Sequence, residues 1–206
     1  MTDNLEYEYK QRYKHLLLPL AEKLERHIRE CLSSQPRVDR IVCRAKSIDR
    51  FLEKAARLDG GAHRYSDPLN QIQDQIGARI VTHYVDDVEP TSRAVLEYFR
   101  HIEEQSIVPD SESEFGYFGK HFVLLIPEDV IPEGIGISPP FFELQVKTLF
   151  QHAWAEANHD LGYKPGFDLS AEDRRKIAFT SAQAWGADMI FNQLYNKGLI
   201  DGAHED

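Results

Sequence analysis

Between residues 37 and 57, seven bases (Arg37, Arg40, Arg44, Lys46, Arg50, Lys54 and Arg57) stand against three acids, Asp39, Asp49 and Glu53. Lys46, Arg50, Lys54 and Arg57 follow at steps of four, four and three, so a helix there makes them one basic stripe. Like charges at that spacing repel, and a polyphosphate lying along them would relieve the repulsion and accept charge-assisted hydrogen bonds. The same spacing also suits a solvated face balanced by Asp49 and Glu53. Neither a GxxxxGK(S/T) loop nor a GxGxxG fingerprint occurs, so a nucleotide here is not held in the two commonest glycine-rich ways. Asp74, just before a β-branched run, and Glu143, inside another, are of the type that holds magnesium between triphosphate oxygens or takes a proton from a hydroxyl. His152, Glu156 and His159 read H-x-x-x-E-x-x-H, which lacks the adjacent glutamate of the zinc-protease H-E-x-x-H. His159-Asp160 is a lone dyad without further spaced His and Asp ligands.

The elements that must position these groups follow from periodicity. Apolar positions at Tyr13, Leu16, Leu17, Leu20, Leu24, Ile28 and Cys31 predict an amphipathic helix over about 5–31. A second helix is expected over 46–58, stopped by Asp59-Gly60-Gly61. Residues 78–84 predict a buried strand, followed by a helix over 88–101; 121–126 and 141–146 predict an antiparallel pair. A helix over 148–161 follows, and Ser170 with Asp173 opens a last helix expected to bury Ile177, Ala178, Ala182, Trp185, Met189 and Leu194. Trp154 and Trp185 are read as core residues. The sum is an α+β protein, a small mixed β-sheet flanked by helices. It divides into a helical extension (1–36), a central domain (37–165) and a C-terminal helix and tail (166–206).

Composition bounds the class. The 206 residues are 42% hydrophobic and 28% charged, with a net charge of −10, which disfavours tracking a long phosphate backbone but permits a small anion in a local basic pocket. No run nears the roughly 20 apolar residues of a membrane span. The polar, acidic start is unlike a signal peptide, so a cytoplasmic location is expected. Two cysteines, Cys31 and Cys43, make neither a disulfide framework nor a four-cysteine zinc site.

Five segments in order, RAKSIDRFLEKAAR (44–57), IQDQIGARIV (72–81), FGYFGKH (115–121), ELQVKT (143–148) and HAWAEANHDLGYK (152–164), resemble the synthetase domain of the RelA/SpoT homologues, most closely the small alarmone synthetases. The resemblance spans about 37–165. It implies a nucleotidyltransferase-like fold and a pyrophosphokinase in which ATP gives its β,γ-pyrophosphate to the 3′-hydroxyl of GDP or GTP, with Mg2+, releasing AMP. On that pattern Arg44 and Arg79 sandwich the adenine, while Lys46 and Lys54 grip the ATP phosphates, with Arg50 where a serine is usual. Asp74 and Glu143 hold magnesium, and Glu143 activates the 3′-hydroxyl. Tyr117 stacks on the acceptor base, and His121, Gln145 and Lys147 lie near the acceptor and its phosphates. Self-association through terminal helices is implied as well.

The acceptor segment departs from the K-x-x-G-Y-(R/Q)-S-x-H usual in the family. Here Ser113 stands for the lysine, Phe118 for the polar residue after the tyrosine, and Gly119 for the serine. Some toxin members share such losses, and that resemblance implies an alternative, transfer to a tRNA 3′ end or an adenine nucleotide, with an antitoxin as a partner. A catalytically silent nucleotide-binding module is an alternative of another class, against which the presence of Asp74, Glu143 and Tyr117 argues.

Overall fold

The computed structural model describes residues 2–106, 117, 119–132, 140–162 and 169–202. Ser113, Phe115, Phe118 and Tyr163-Lys164, singled out in the sequence, therefore lie outside the described residues. The chain opens with helix α1 (Thr2–Arg12), a wider π-turn (Tyr13–Leu17) and α2 (Leu18–Cys31). Pro19 lacks an N–H, and the backbone widens just before it, with Leu18 N–H reaching Tyr13 O. The helix expected over 5–31 is thus one rod with a bulge, burying Leu17, Leu20, Leu24 and Ile28.

Next come β1 (Val38–Ala45), α3 (Ile48–Ala55), the short hairpin β2 (Leu58–Asp59) and β3 (Ala62–His63), α4 (Pro68–Gln71), a 3-10 turn (Gln73–Gln75) and β4 (Ile76–Thr82). They are followed by α5 (Val85–Tyr98), β5 (His101–Ser106), β6 (Lys120–Leu125), β7 (Phe141–Thr148), α6 (Leu149–Gly162) and α7 (Ala171–Gly202). Among the described residues five strands form one sheet in the order β1-β4-β7-β6-β5, with β4 and β7 parallel and the other neighbours antiparallel. No helix of the described residues is long and apolar enough to cross a membrane.

Alternation divides the sheet into two chemistries. Ile41, Ala45, Ile76, Ala78, Ile80, Phe122, Leu124, Phe142, Leu144 and Val146 are buried in the core with the apolar stripe of α2 and with Ala94 and Val95 of α5. The register places Arg44 opposite Gly77 and Gly77 opposite Glu143, Val42 opposite Arg79 and Arg79 opposite Gln145, and Val81 opposite Lys147. The other face of the sheet therefore bears the charged groups.

Two expectations need correction. The helix expected over 46–58 is only Ile48–Ala55, and Gly60 and Gly61, at φ of 59° and 87°, turn the β2–β3 hairpin rather than cap a helix. Positive φ at both central residues of a two-residue loop matches the twist of paired strands. On α7, Trp185 and Leu194 are 46% and 59% exposed, while Ser181, Asp188 and Asn192 are buried. Here the inward side is polar because it satisfies hydrogen-bonding partners: Asp188 meets the hydroxyls of Tyr117 and Thr148, and Asn192 accepts from Asp86 N–H at 3.0 Å.

Candidate active site

The charged face of the sheet floors a groove of about 760 Å³, walled by α3 and α6. Its lining holds eight bases (Arg40, Arg44, Lys46, Arg50, Lys54, Arg57, Arg79 and Lys147) against four carboxylates (Glu53, Asp74, Glu143 and Glu156). An acidic chain has thus gathered a local positive field where strands β1, β4 and β7 meet α3. Arg37, counted in the same basic cluster, points elsewhere and pairs with Asp87 at 2.6 Å.

Lys46 follows β1 directly and Lys54 lies in the last turn of α3. Their ammonium groups converge on one oxygen, Asp74 Oδ2, at 2.9 and 3.0 Å. The approach is anchored from behind. Lys46 N–H donates to Gln75 O, Tyr9 donates its hydroxyl to Lys46 O at 2.7 Å, and the Tyr9 ring stacks on Phe51 of α3. Arg12 donates to Leu69 O at 2.6 Å and Gln75 donates to the same carbonyl at 2.8 Å, which sets the turn bearing Asp74.

Glu143 sits on β7, one strand from the Asp74 turn. Gln145 Nε2 donates to its Oε1 at 2.8 Å, and His121 Nδ1 of β6 lies 3.4 Å from the same oxygen. The His121 contact, against the opposing effect of burial, holds the Glu143 pKa down at about 2, so this carboxylate is ionised at any working pH. Three buried polar atoms around the pair have no hydrogen-bond partner: Asp74 Oδ1, His121 Nε2 and Gln145 Oε1. Buried polar atoms normally have partners, so this row marks where a ligand's polar groups belong. Among the described residues no group of three or more His, Cys, Asp or Glu could hold a metal. A carboxylate pair in which Asp74 keeps Oδ1 without a partner suits magnesium, which takes few protein ligands and completes its shell with phosphates and water.

At the far end of the groove Arg79 donates to His152 Nδ1 at 3.1 Å and to Glu156. His152 thus serves an arginine, and the pKa values of His152 and His159 are both held below the usual imidazole range, first by burial. Lys147, placed near the acceptor by resemblance, stands in this groove beside Arg79, where burial and then Arg79 lower its pKa to about 8.

A second cavity of about 360 Å³ adjoins the groove and shares Lys54, Asp74 and Glu143 with it; His121 lines it from β6. Arg64 and Tyr65, which follow the hairpin, line it too and were missed in the sequence, because the glycines before them read as the end of a helix. Tyr117 lines neither cavity. It is 9% exposed and donates its hydroxyl to Asp188 Oδ2 at 2.5 Å. Gly119, two residues on, has no room for a serine's Cβ, which would strike the Val146 carbonyl and the Lys147 side chain.

Residues 43–167 match the family model described as a region found in RelA / SpoT proteins. The chain belongs to the RelA/SpoT family. It is 28% identical over 186 residues to the GTP pyrophosphokinase YjbM of Bacillus subtilis (strain 168), covering 88% of this chain and 84% of that one. The crystal structure of small alarmone synthetase 1 from Bacillus subtilis superimposes with a TM-score of 0.71 at 20% identity, over 88% of this chain and 94% of the other. The same synthetase bound to its product pppGpp gives 0.70 at 22% identity, over 86% and 91%. A GTP pyrophosphokinase family protein from Streptococcus pneumoniae gives 0.68 at 24% identity, over 94% of each chain.

Proposed function

We propose that this chain is a pyrophosphokinase that moves the β,γ-pyrophosphate of ATP to the 3′-hydroxyl of GDP or GTP, making (p)ppGpp. The observation that carries the reading is the meeting of two cavities at one carboxylate pair: a basic groove for the donor and a smaller cavity for the acceptor, with Asp74 and Glu143 at the junction. A relative that is a GTP pyrophosphokinase supports the choice of acceptor.

Each residue then has a physical task. Arg44 and Arg79, on neighbouring strands of the groove floor, offer planar cations for an adenine to lie between. Lys46 and Lys54, with Arg50 beside them, neutralise the triphosphate. In this transfer positioning and charge neutralisation are most of the catalysis. Asp74 and Glu143 would hold Mg2+, which supplies charge neutralisation on the transferring phosphates. Glu143, ionised and weakly basic, orients the attacking 3′-hydroxyl and takes its proton late, as bond formation to the β-phosphorus completes. The bond broken is that between the β-phosphorus and the oxygen bridging to the α-phosphate, so the leaving group is AMP. Lys147 adds charge behind the phosphates, and His121 and Gln145 fix the Glu143 carboxylate on the acceptor side.

The test is γ-labelled ATP with magnesium offered to the purified protein together with GDP, GTP, AMP, ADP or deacylated tRNA, resolved by thin-layer chromatography. Label moving onto GDP or GTP is the expected result. Label only on tRNA or an adenine nucleotide would reassign the acceptor, and no transfer to any would refute the reading.

A further inference from the structure

We propose that helix α1 is a working part of the donor groove: Tyr9 and Arg12 are positioning residues that hold the backbones carrying Lys46, Asp74 and Lys54 in register for the phosphates of ATP. The inference rests on the pyrophosphokinase reading of the groove and names what sets its phosphate-binding end. Both residues precede residue 43, where the region shared with the family begins. The two lysines meet on Asp74 Oδ2 at 2.9 and 3.0 Å, and an ammonium that turns to a phosphate gives up that carboxylate. The side chains then no longer hold one another, so the backbones that present them need an anchor outside the groove.

Helix α1 supplies that anchor from one face, since Tyr9 and Arg12 are three residues apart on it. Tyr9 is fully buried, and its hydroxyl donates to Lys46 O at 2.7 Å. Its ring lies parallel to that of Phe51, with centroids 3.6 Å apart, about one turn before Lys54 on α3. Lys46 N–H donates to Gln75 O at 2.8 Å, so both backbone polar groups of Lys46 are fixed. Gln75, buried and next to Asp74, donates from Nε2 to Leu69 O at 2.8 Å and to Ile72 O at 3.0 Å. Arg12 donates to the same Leu69 carbonyl at 2.6 Å and to Gln75 Oε1 at 3.3 Å. The path Arg12–Gln75–Lys46–Tyr9 thus closes on the helix it starts from and takes in the turn bearing Asp74. Burial, then the charge of Asp74, pushes the Tyr9 phenol up, so its hydroxyl remains a donor at any working pH.

The test is equilibrium titration of AMP and of a non-hydrolysable ATP analogue with magnesium into wild type, Tyr9→Phe and Arg12→Met, alongside steady-state kinetics with ATP and GDP. Tyr9→Phe keeps the ring on Phe51 and removes one hydrogen bond, so this variant stays folded. Each variant should bind the ATP analogue roughly three- to tenfold more weakly, the size of one lost hydrogen bond, while AMP, with a single phosphate, changes less than about twofold. The KM for ATP should rise by the same factor, and the KM for GDP should stay within about twofold. Wild-type affinity for the analogue in both variants overturns the assignment. So does an equal loss for AMP and the analogue, which is what a general loosening of the fold would give. A wild type that transfers to GDP with indifferent variants sinks this inference alone. A wild type that binds the analogue through Tyr9 yet transfers to no acceptor sinks the pyrophosphokinase reading alone, and a wild type that binds no ATP sinks both.

Discussion

Glu143 and Lys147 stand two residues apart from Gln145 on one strand and face the same groove, yet burial acts on them in opposite directions. Glu143 is kept ionised by His121 and Gln145, so its removal should be felt in the chemical step rather than in donor binding. Glu143→Gln is expected to lower kcat by at least about 100-fold while the dissociation constant for ATP changes less than about threefold, measured by single-turnover kinetics and equilibrium titration. A variant with more than a few per cent of wild-type turnover would remove Glu143 from the proton-handling role. Lys147 is a base whose charged form is disfavoured, with a pKa of about 8. As pH rises through that value the groove loses a positive charge, so ATP affinity should fall between pH 7 and 9. Lys147→Arg, charged throughout, should flatten that profile, and an unchanged profile would mean that Lys147 does not face the phosphates. At this scale the motifs made Asp74, Glu143 and the lysines visible in the sequence. The hydrogen bond of Tyr117 to Asp188 was invisible, since it depends on a carboxylate 71 residues away in a helix whose inward side is polar.

The elements explain how a short strand can hold three functional side chains. Alternation puts Glu143, Gln145 and Lys147 of β7 on one face and Phe142, Leu144 and Val146 in the core, so the same eight residues build both the sheet and the site. Strands β4, β6 and β7 could be read because β-branched and apolar residues mark them. Strand β1 carries Asp39, Arg40 and Arg44, and β5 carries Glu103 and Glu104; both lie at the sheet edges, where charge is tolerated and the apolar alternation fades. Among the contacts that dock α7 is Asp188, buried between the hydroxyls of Tyr117 and Thr148. Asp188→Ala leaves both hydroxyls without their acceptor, so a loss of about 2–4 kcal/mol is expected, read as a lowered midpoint in urea or heat. An unchanged midpoint would show that the network contributes nothing to holding α7.

At the scale of the molecule a net charge of −10 coexists with a groove of eight bases and four carboxylates. The field that attracts ATP is therefore local, and salt should screen it while leaving the fold intact: the KM for ATP should rise severalfold between roughly 0.05 and 0.5 M sodium chloride, with kcat nearly constant. A salt-independent KM would mean that the basic residues pair with the protein's own acids when ATP binds. Pyrophosphate transfer makes a stricter demand, because it breaks the bond between the β-phosphorus and the oxygen bridging to the α-phosphate. Chromatography of α-labelled ATP incubated with the protein, magnesium and GDP measures this most directly. A pyrophosphokinase forms AMP in equal amount to the pyrophosphorylated guanine nucleotide and only when GDP is present. Label accumulating as ADP, or AMP appearing at the same rate without acceptor, would contradict it.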